Sequence, residues 1–319
     1  MWESDEERAL VVLGNTLREH GYRFVTPTPA THRRVNARRE NATATTLAGA
    51  VGWSRPFARG ALPREVEAAL EAAKALSPAG SGLVRSSVRF STLDGLHDAP
   101  GAAPGLFVHS AYPTSGADAV FFGPDTYRFV ELLRRVVKPT GRLVDVGAGS
   151  GAGGLALADR ARELVLTDVN PRALRAARVN AALAGEPTRA RTTTVESDVL
   201  AGVDGRIDTV IANPPYLVDP ERRLYRDGGG ALGFDLSVRI VDEALARLAP
   251  GGQLVLYTGS PVVDGAHPLL DALRPRLARR VGRFTWSELD PDVFGEELDA
   301  SAYRDVERIA VVALVVEVA

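Results

Sequence analysis

The sequence predicts an α/β protein in two parts: a small α+β N-terminal domain over residues 1–115, and a domain over 116–319 built on a mainly parallel sheet with helices on both faces. Three observations predict it. From Gly141 onward, strand-like apolar runs alternate with helical segments, the pattern of parallel strands joined by crossover helices. The first of those runs empties into a glycine-rich turn, Val144-Asp-Val-Gly-Ala-Gly-Ser-Gly151. Before Gly141 the alternation is missing, and short helical and strand-like stretches follow one another instead.

In chain order, residues 5–20 read as a helix with Leu10, Leu13 and Leu17 on one face. Asn41–Val51 and Pro63–Leu76 are further helices, the second opening on a proline suited to a first helical turn. Ser77-Pro-Ala-Gly-Ser-Gly82 is a turn or linker. Leu83–Ser91 and Leu106–Ala111 read as two strands of a hairpin. In the second part the strands are Arg142–Val146, Leu164–Thr167, Thr192–Val195, Thr209–Ala212 and Gln253–Tyr257, with helices at Gly153–Arg160, Pro171–Ala184 and Asp235–Leu248. Phe284–Trp286 and Ile309–Val316 then add an antiparallel pair at one edge.

Composition narrows the function classes. With 45% apolar and 24% charged residues the chain reads as globular and soluble. There is no run of 18 apolar residues, and the acidic start (Glu3, Asp5, Glu6, Glu7) is unlike a secretory signal, so a cytoplasmic protein without a membrane partner is expected. The absence of cysteine excludes disulfides, thiolate metal sites and cysteine nucleophiles, and the five scattered histidines offer no metal spacing, so no metal is expected. The net charge of −2 hides an asymmetry: Tyr22 to Arg64 holds eight Arg and one acid, Glu40, whereas Ser287 to Glu307 holds eight acids and one base, Arg304. The basic stretch suits an anionic partner such as nucleic acid, or the two segments face each other or solvent.

The second part has a ligand rim. Glycines after the first strand let the backbone turn sharply and let a ligand approach. The same residues fit G-x-G-x-x-G at Gly149, Gly151 and Gly154, so the loop alone suits a dinucleotide as well as a methyl donor. Asp168 ends the second strand, 21 residues beyond Gly147, where a carboxylate can accept from ribose hydroxyls. Asp198 follows the third strand, where it can accept from an adenine amino group or serve as a turn residue.

The decisive stretch is Asp208-Thr-Val-Ile-Ala-Asn-Pro-Pro-Tyr216, a hydrophobic strand running into Asn-Pro-Pro-Tyr at the same rim. Two prolines remove two backbone donors, so the loop presents acceptors. The Asn213 side-chain oxygen and the Pro214 carbonyl can each accept from an –NH2 group, and Tyr216 offers a flat face for a planar group. A planar nitrogen with a delocalised lone pair is a poor nucleophile. Two acceptors orient it and stabilise the charge that develops on it during methyl transfer.

On these residues the chain resembles the class I methyltransferases with an NPPY motif, in particular the HemK/PrmC-like glutamine methyltransferases and the small methyltransferase domain group. The resemblance runs from Phe121 to about Val263 and includes Gly228-Gly-Gly-Ala-Leu-Gly233 and Leu248-Ala-Pro-Gly-Gly252. It implies a Rossmann-like, seven-stranded, mostly parallel sheet with an antiparallel final hairpin. It also implies S-adenosyl-L-methionine held at Gly147, Gly149, Asp168 and Asp198, with Asp145, Gly151 and Asn213 in the same set. Phe121-Phe-Gly-Pro-Asp-Thr-Tyr127 is similar to an Arg-Pro-Asp-Thr segment of the glutamine enzymes, which puts Asp125 and Thr126 near the cofactor; Gly123 stands where that family has arginine. The N-terminal 115 residues and Asp290-Pro-Asp-Val-Phe-Gly-Glu-Glu297 lie outside the family pattern.

The expected function is N-methylation of a planar amide or amino nitrogen, with Asn213, Pro214 and Tyr216 catalytic and Pro215, Tyr225 and Arg226 at the acceptor. Protein glutamine is favoured. The alternatives are a nucleobase in RNA or DNA, served by Arg33, Arg34, Arg38 and Arg39 with Tyr22, Phe24, Trp53 and Phe57 for stacking, or a small molecule. A pI of 6.3 weighs against tight nucleic-acid binding. A non-catalytic cofactor- or nucleoside-binding module and a nicotinamide oxidoreductase are the readings from other classes. His109 and Tyr112 are assigned to packing or to closure over the cofactor, and Glu296 and Glu297 to the site or to the basic stretch.

Overall fold

A computed structural model describes residues 4–94, 105–189 and 191–319 of the chain. The elements in order are α1 (Asp5–Glu19), α2 (Pro29–Asn36), β1 (Phe57–Ala58), α3 (Arg64–Ala72), β2 (Leu76–Pro78), β3 (Leu83–Ser86), β4 (Val88–Leu93), β5 (Gly105–Ser110), α4 (Pro124–Val136), β6 (Thr140–Val146), α5 (Ala152–Leu155), β7 (Ala161–Asp168), α6 (Pro171–Leu183), α7 (Glu186–Arg189), β8 (Thr192–Glu196), β9 (Ile207–Ala212), α8 (Asp235–Arg247), β10 (Leu248–Val262), α9 (Pro268–Arg280), β11 (Val281–Asp290) and β12 (Arg308–Val318). Seven strands form one sheet in the order β11-β12-β10-β9-β6-β7-β8. β8, β7, β6, β9 and β10 run parallel, and β12 pairs antiparallel with both β10 and β11. The expected sheet and its antiparallel close are therefore present.

Alternation along the strands divides the core between the two faces. In β6, Leu143 packs with Phe129 and Leu133 of α4, whereas Val144 and Val146 pack with Ile240 and Val241 of α8. Neighbouring side chains on a strand point to opposite faces, so a strand covered on both sides must be apolar throughout. β9 meets that demand at its carboxyl half, where Val210, Ile211 and Ala212 are fully buried, while Asp208 and Thr209 fall near its start. Each buried aliphatic of this size contributes about 1.5–3 kcal/mol relative to exposure. On the second face Leu269, Leu273 and Leu277 of α9 repeat every fourth residue and join the α8 cluster.

The N-terminal region has two small sheets, β1-β3-β2 and the β4-β5 hairpin. Its core shares residues with α6: Leu10, Leu13 and Leu17 of α1 cluster with Ala173, Ala176, Val179 and Leu183. Asn180 of α6 ties the two regions further, its amide bonding both the N–H and the carbonyl of Val108 in β5. The expected boundary near residue 115 falls in the segment between β5 and α4.

Several local expectations are corrected. Asn41–Val51 is not a continuous helix: a 3-10 turn covers Arg39–Asn41 and a π-helical turn Ala48–Gly52. Between them the Ala44 N–H bonds the Pro56 carbonyl at 2.8 Å in place of a helical partner. Leu83–Ser91 is two strands rather than one, broken at Ser87, whose N–H bonds Ala75. α3 stops at Ala72, and Leu76 enters a strand after Lys74 takes a left-handed conformation (φ 52°). The helix expected over Gly153–Arg160 is one α-helical turn, Ala152–Leu155. Helices α2, α4, α7 and α9 lie outside the expected set.

Candidate active site

The carboxyl ends of β6, β7, β8 and β9 open onto one cavity of about 500 Å³, within the range usual for small-molecule sites. Its floor is the glycine loop after β6. Gly147 (φ 66°) and Gly149 (φ 55°) hold left-handed conformations, and a Cβ placed on either meets nothing within 4 Å. The loop thus needs glycine for its turn and leaves open space above its backbone. Asp168, at the end of β7, accepts from the N–H groups of Gly149 (2.9 Å) and Asn170 (2.9 Å), which locks loop to strand. Burial raises its carboxyl above the usual range, against the pull of those two donors.

Asp145 sits one layer deeper. It is 2% exposed and accepts from Gly154 N–H at 2.8 Å. Burial pushes its carboxyl up to about 7. Gly151, expected among the cofactor residues, does not line the cavity; it caps α5 and faces Leu166, Leu155 and Ala177. Asp198 lines the rim and is paired with Arg239 at 2.5 Å.

β9 delivers the opposite wall. Asn213, Pro214, Pro215 and Tyr216 all line the cavity. Among the described residues the Asn213 amide and the Pro214 carbonyl have no hydrogen-bond partner, so two acceptors stand free beside the glycine loop. Backbone at Gly228 and Gly233 presses directly on Pro215–Leu217, where any side chain would collide. Tyr216 differs from expectation in its hydroxyl. That group is buried and donates to Asp125 at 2.6 Å, while the ring meets Phe294 edge-on. Asp125 also accepts from Tyr257 of β10 at 2.9 Å and contacts Arg128, which pairs with Asp290. Asp125 therefore joins α4, the β9 loop, β10 and β11. Thr126, also on the wall, accepts from Gly123 N–H and caps α4.

The loop that follows the Asn-Pro-Pro-Tyr stretch also lines the cavity, through Leu217 and Arg223 to Arg226. Asp219 takes three hydrogen bonds from Arg223, two from its guanidinium. Arg226 pairs with Glu297, which answers which way that acid faces, while Glu296 is exposed. Tyr225 donates to the Thr114 carbonyl at 2.5 Å and lies parallel to Phe121. Tyr225, Arg226, Phe121 and Tyr112 all line the cavity, as does Arg33 of α2. His109 does not; it is buried against Phe122 and bonded to Ser91, a packing role. The aromatic residues assigned to base stacking are corrected: Tyr22, Phe24 and Phe57 are core residues at 7%, 6% and 0% exposure. Trp53 is half-buried between His32, Phe24 and Arg55. The basic and acidic segments form no ion pair with each other among the described residues. Tyr257, Arg239 and Phe294 were missed because each meets its partner only across the fold.

No helix among the described residues is long and apolar enough to cross a membrane, and no group of His, Cys, Asp and Glu among them is arranged to hold a metal. The family model described as "Methyltransferase small domain" matches residues 126–271. A release factor glutamine methyltransferase of Deinococcus radiodurans is 36% identical over 211 residues, 60% of this chain and 69% of that relative. One from Rhodospirillum rubrum is 34% identical over 199 residues, 57% of each chain. A tRNA1(Val) (adenine(37)-N6)-methyltransferase of Aeromonas hydrophila is 33% identical over 132 residues, 39% of this chain and 53% of that one. The chain thus spans little more than half the length of the last two.

Proposed function

The chain belongs to the class I S-adenosylmethionine-dependent methyltransferases of the HemK-like group, and from that premise we propose that its methyl acceptor is the side-chain amide nitrogen of a glutamine in a protein. It is an enzyme, and S-adenosylmethionine is its methyl donor. The described residues fit that donor: open backbone at Gly147 and Gly149, and a carboxylate at Asp168 with acceptor capacity to spare. We assign Gly147, Gly149, Asp168 and Asp198 to holding it, with Asp145 positioning the loop from beneath. When bound, S-adenosylmethionine supplies an electrophilic methyl group on a sulfonium.

The observation that carries the acceptor assignment is the pair of free acceptors at Asn213 and Pro214. Each accepts one N–H of the acceptor amide, which fixes its plane and turns its nitrogen toward the donor. Both also stabilise the positive charge that grows on nitrogen, where preorganised dipoles in a water-poor site act most strongly. The surplus proton becomes acidic once nitrogen is methylated, so no strong base is required and the proton can pass to water. Tyr216, anchored by Asp125, keeps the loop in register. Pro215, Tyr225 and Arg226 line the acceptor side. Glutamine is favoured over a nucleobase because the similarity covers 69% of the Deinococcus radiodurans glutamine methyltransferase against 53% of the tRNA methyltransferase, and because Tyr22, Phe24 and Phe57 of the basic stretch are core residues. A cytoplasmic setting suits this assignment: the chain has no cysteine that would call for an oxidising compartment.

Transfer of labelled methyl from S-adenosylmethionine into separated protein, RNA, DNA and small-molecule pools tests the acceptor. Label in protein, recovered as N-methylglutamine, is expected; label confined to RNA or DNA would sink it. Asn213→Ala is expected to lower kcat about 100-fold with little change in S-adenosylhomocysteine affinity.

A further inference from the structure

Four arginines outside the machinery above lie on α2 and the turn that follows it, and the first of them reaches the cavity. Pro29 and Arg33, one turn apart on α2, line the cavity itself. Arg34 continues along the same helix, and Arg38 and Arg39 stand at the turn that follows; all four guanidinium-bearing residues are exposed. Among the described residues none of the four has an ion-pair partner. The one acid of the stretch, Glu40, is exposed and pairs with none of them. Behind them the charge is reinforced. Arg55 packs its guanidinium over Trp53 at 5.3 Å and bonds Asn36 of α2 at 2.9 Å. Arg89 is 3% exposed and among the described residues has no carboxylate partner; it reaches His32, on the buried side of α2, at 3.2 Å, and its Nε has no partner among them. Six cations are thus gathered around one short helix with no ion pair to any of them among the described residues and only the field of Glu40 at Arg55 to offset them, although the chain as a whole is slightly acidic. Uncompensated like charges are a cost to folding unless a partner offsets them.

We propose that this face docks an acidic segment of the acceptor protein, next to the glutamine to be methylated, an inference that rests on the protein-glutamine assignment above. Arg33 shares the cavity with Asn213, so a carboxylate on it lies close in sequence to the acceptor; Arg34, Arg38 and Arg39 then receive residues further along the segment. Arginine suits this task because its planar fork matches a carboxylate at two points. A nucleic-acid strand is the less suitable polyanion here. Sequence-tolerant strand binding pairs a basic groove with aromatic platforms, and here Tyr22, Phe24 and Phe57 are enclosed, Arg55 covers Trp53, and Tyr112 beside Arg33 has one face stacked on His32.

The test uses the full chain and short synthetic peptides with a central glutamine flanked, on either side in separate peptides, by glutamates or by serines. An oligoadenylate RNA of matching charge is the third probe. Binding is read by fluorescence anisotropy, and methyl transfer to the same peptides is read separately. The glutamate peptide on one side is expected to bind about tenfold more tightly than its serine counterpart at low salt, with the gap closing as salt screens it. The charge-reversed variant R34E/R38E/R39E is expected to abolish the gap and to keep S-adenosylhomocysteine affinity, since none of these residues lines the cavity. Equal binding of glutamate and serine peptides overturns the proposal, as does a gap that survives charge reversal. RNA that binds more tightly than the acidic peptides through the same arginines also overturns it. Arginine-dependent peptide binding with no methylated glutamine supports the docking face and overturns the glutamine assignment. Glutamine methylated equally in acidic and neutral peptides that bind alike does the opposite.

Discussion

Asp145 ends β6 inside the protein, and its proton is the most pH-sensitive element of the glycine loop. Burial is the main cause of its rise to about 7; the Gly154 N–H opposes that rise and the nearby Asp168 adds to it. The folded state therefore binds this proton more tightly than the unfolded chain does. Between the ordinary value of 3.8 and about 7 the unfolded state holds fewer protons, so stability present below pH 4 is lost as pH rises toward 7. Asp145→Asn keeps an acceptor for Gly154 and removes the titration. Its advantage over wild type in unfolding free energy, measured by urea denaturation, is expected to grow across that window, by on the order of a few kcal/mol at neutral pH. A difference that stays flat with pH would place the proton elsewhere. The motif around Asp145 was legible in the sequence, but its depth was not: spacing locates a residue along a strand and says nothing of what covers it. The same holds for Asp125 and Asp198, whose partners Tyr216 and Arg239 lie 91 and 41 residues away.

The Asn-Pro-Pro-Tyr loop is held by the elements around it as much as by its prolines. The ring of Tyr216 lies directly on Gly259 of β10, where a Cβ would stand 2.1 Å from ring carbon Cδ2. Gly259→Ala must therefore move the ring or the strand, and β10 is held there by β12, with Gly259 opposite Val311, and by β9 as far as Leu256. The ring gives way, and Asn213 and Pro214 move with it. Such a shift is expected to lower kcat about 100-fold, as misplacement of about an ångström does in other sites, with S-adenosylhomocysteine affinity held within a few-fold. Wild-type kcat in this variant would show that the loop does not depend on Tyr216 for its position. At this scale the central strands were readable because burial on both faces demands apolar runs, as in Leu164-Val165-Leu166 of β7 and Val210-Ile211-Ala212 of β9. Helices without a full apolar stripe were not. α2 has eight residues and buries only His32. α9 carries Pro275 in its interior and a low-contrast pattern rich in arginine. The stretch at 41–51 has helix-forming residues, but Ala44 bonds Pro56 instead.

The two parts of the chain share a core and a cavity, so they are expected to fold and bind as one unit. α6 presents Ala173, Ala176, Val179 and Leu183 to α1 and the N-terminal strands, while its Ala177 and Ala181 pack against the main sheet. Without residues 1–115 the first of these faces would meet water, and the Asn180 amide would lose both bonds to Val108. The cavity would lose Pro29, Arg33 and Tyr112 from its wall. Exposing apolar side chains of this size costs about 1.5–3 kcal/mol for each of the larger ones, and the net stability of a domain is only about 5–15 kcal/mol. A fragment of residues 116–319 is therefore expected to unfold without a sharp cooperative transition, or to aggregate. The full chain is expected to show one transition that S-adenosylhomocysteine raises, by about 2.7 kcal/mol at a concentration 100 times its Kd. Differential scanning calorimetry of both proteins, with and without that ligand, measures this. If the fragment melts cooperatively and S-adenosylhomocysteine raises its Tm as it does for the full chain, the catalytic half is self-sufficient and the shared face of α6 is a docking surface between independent domains.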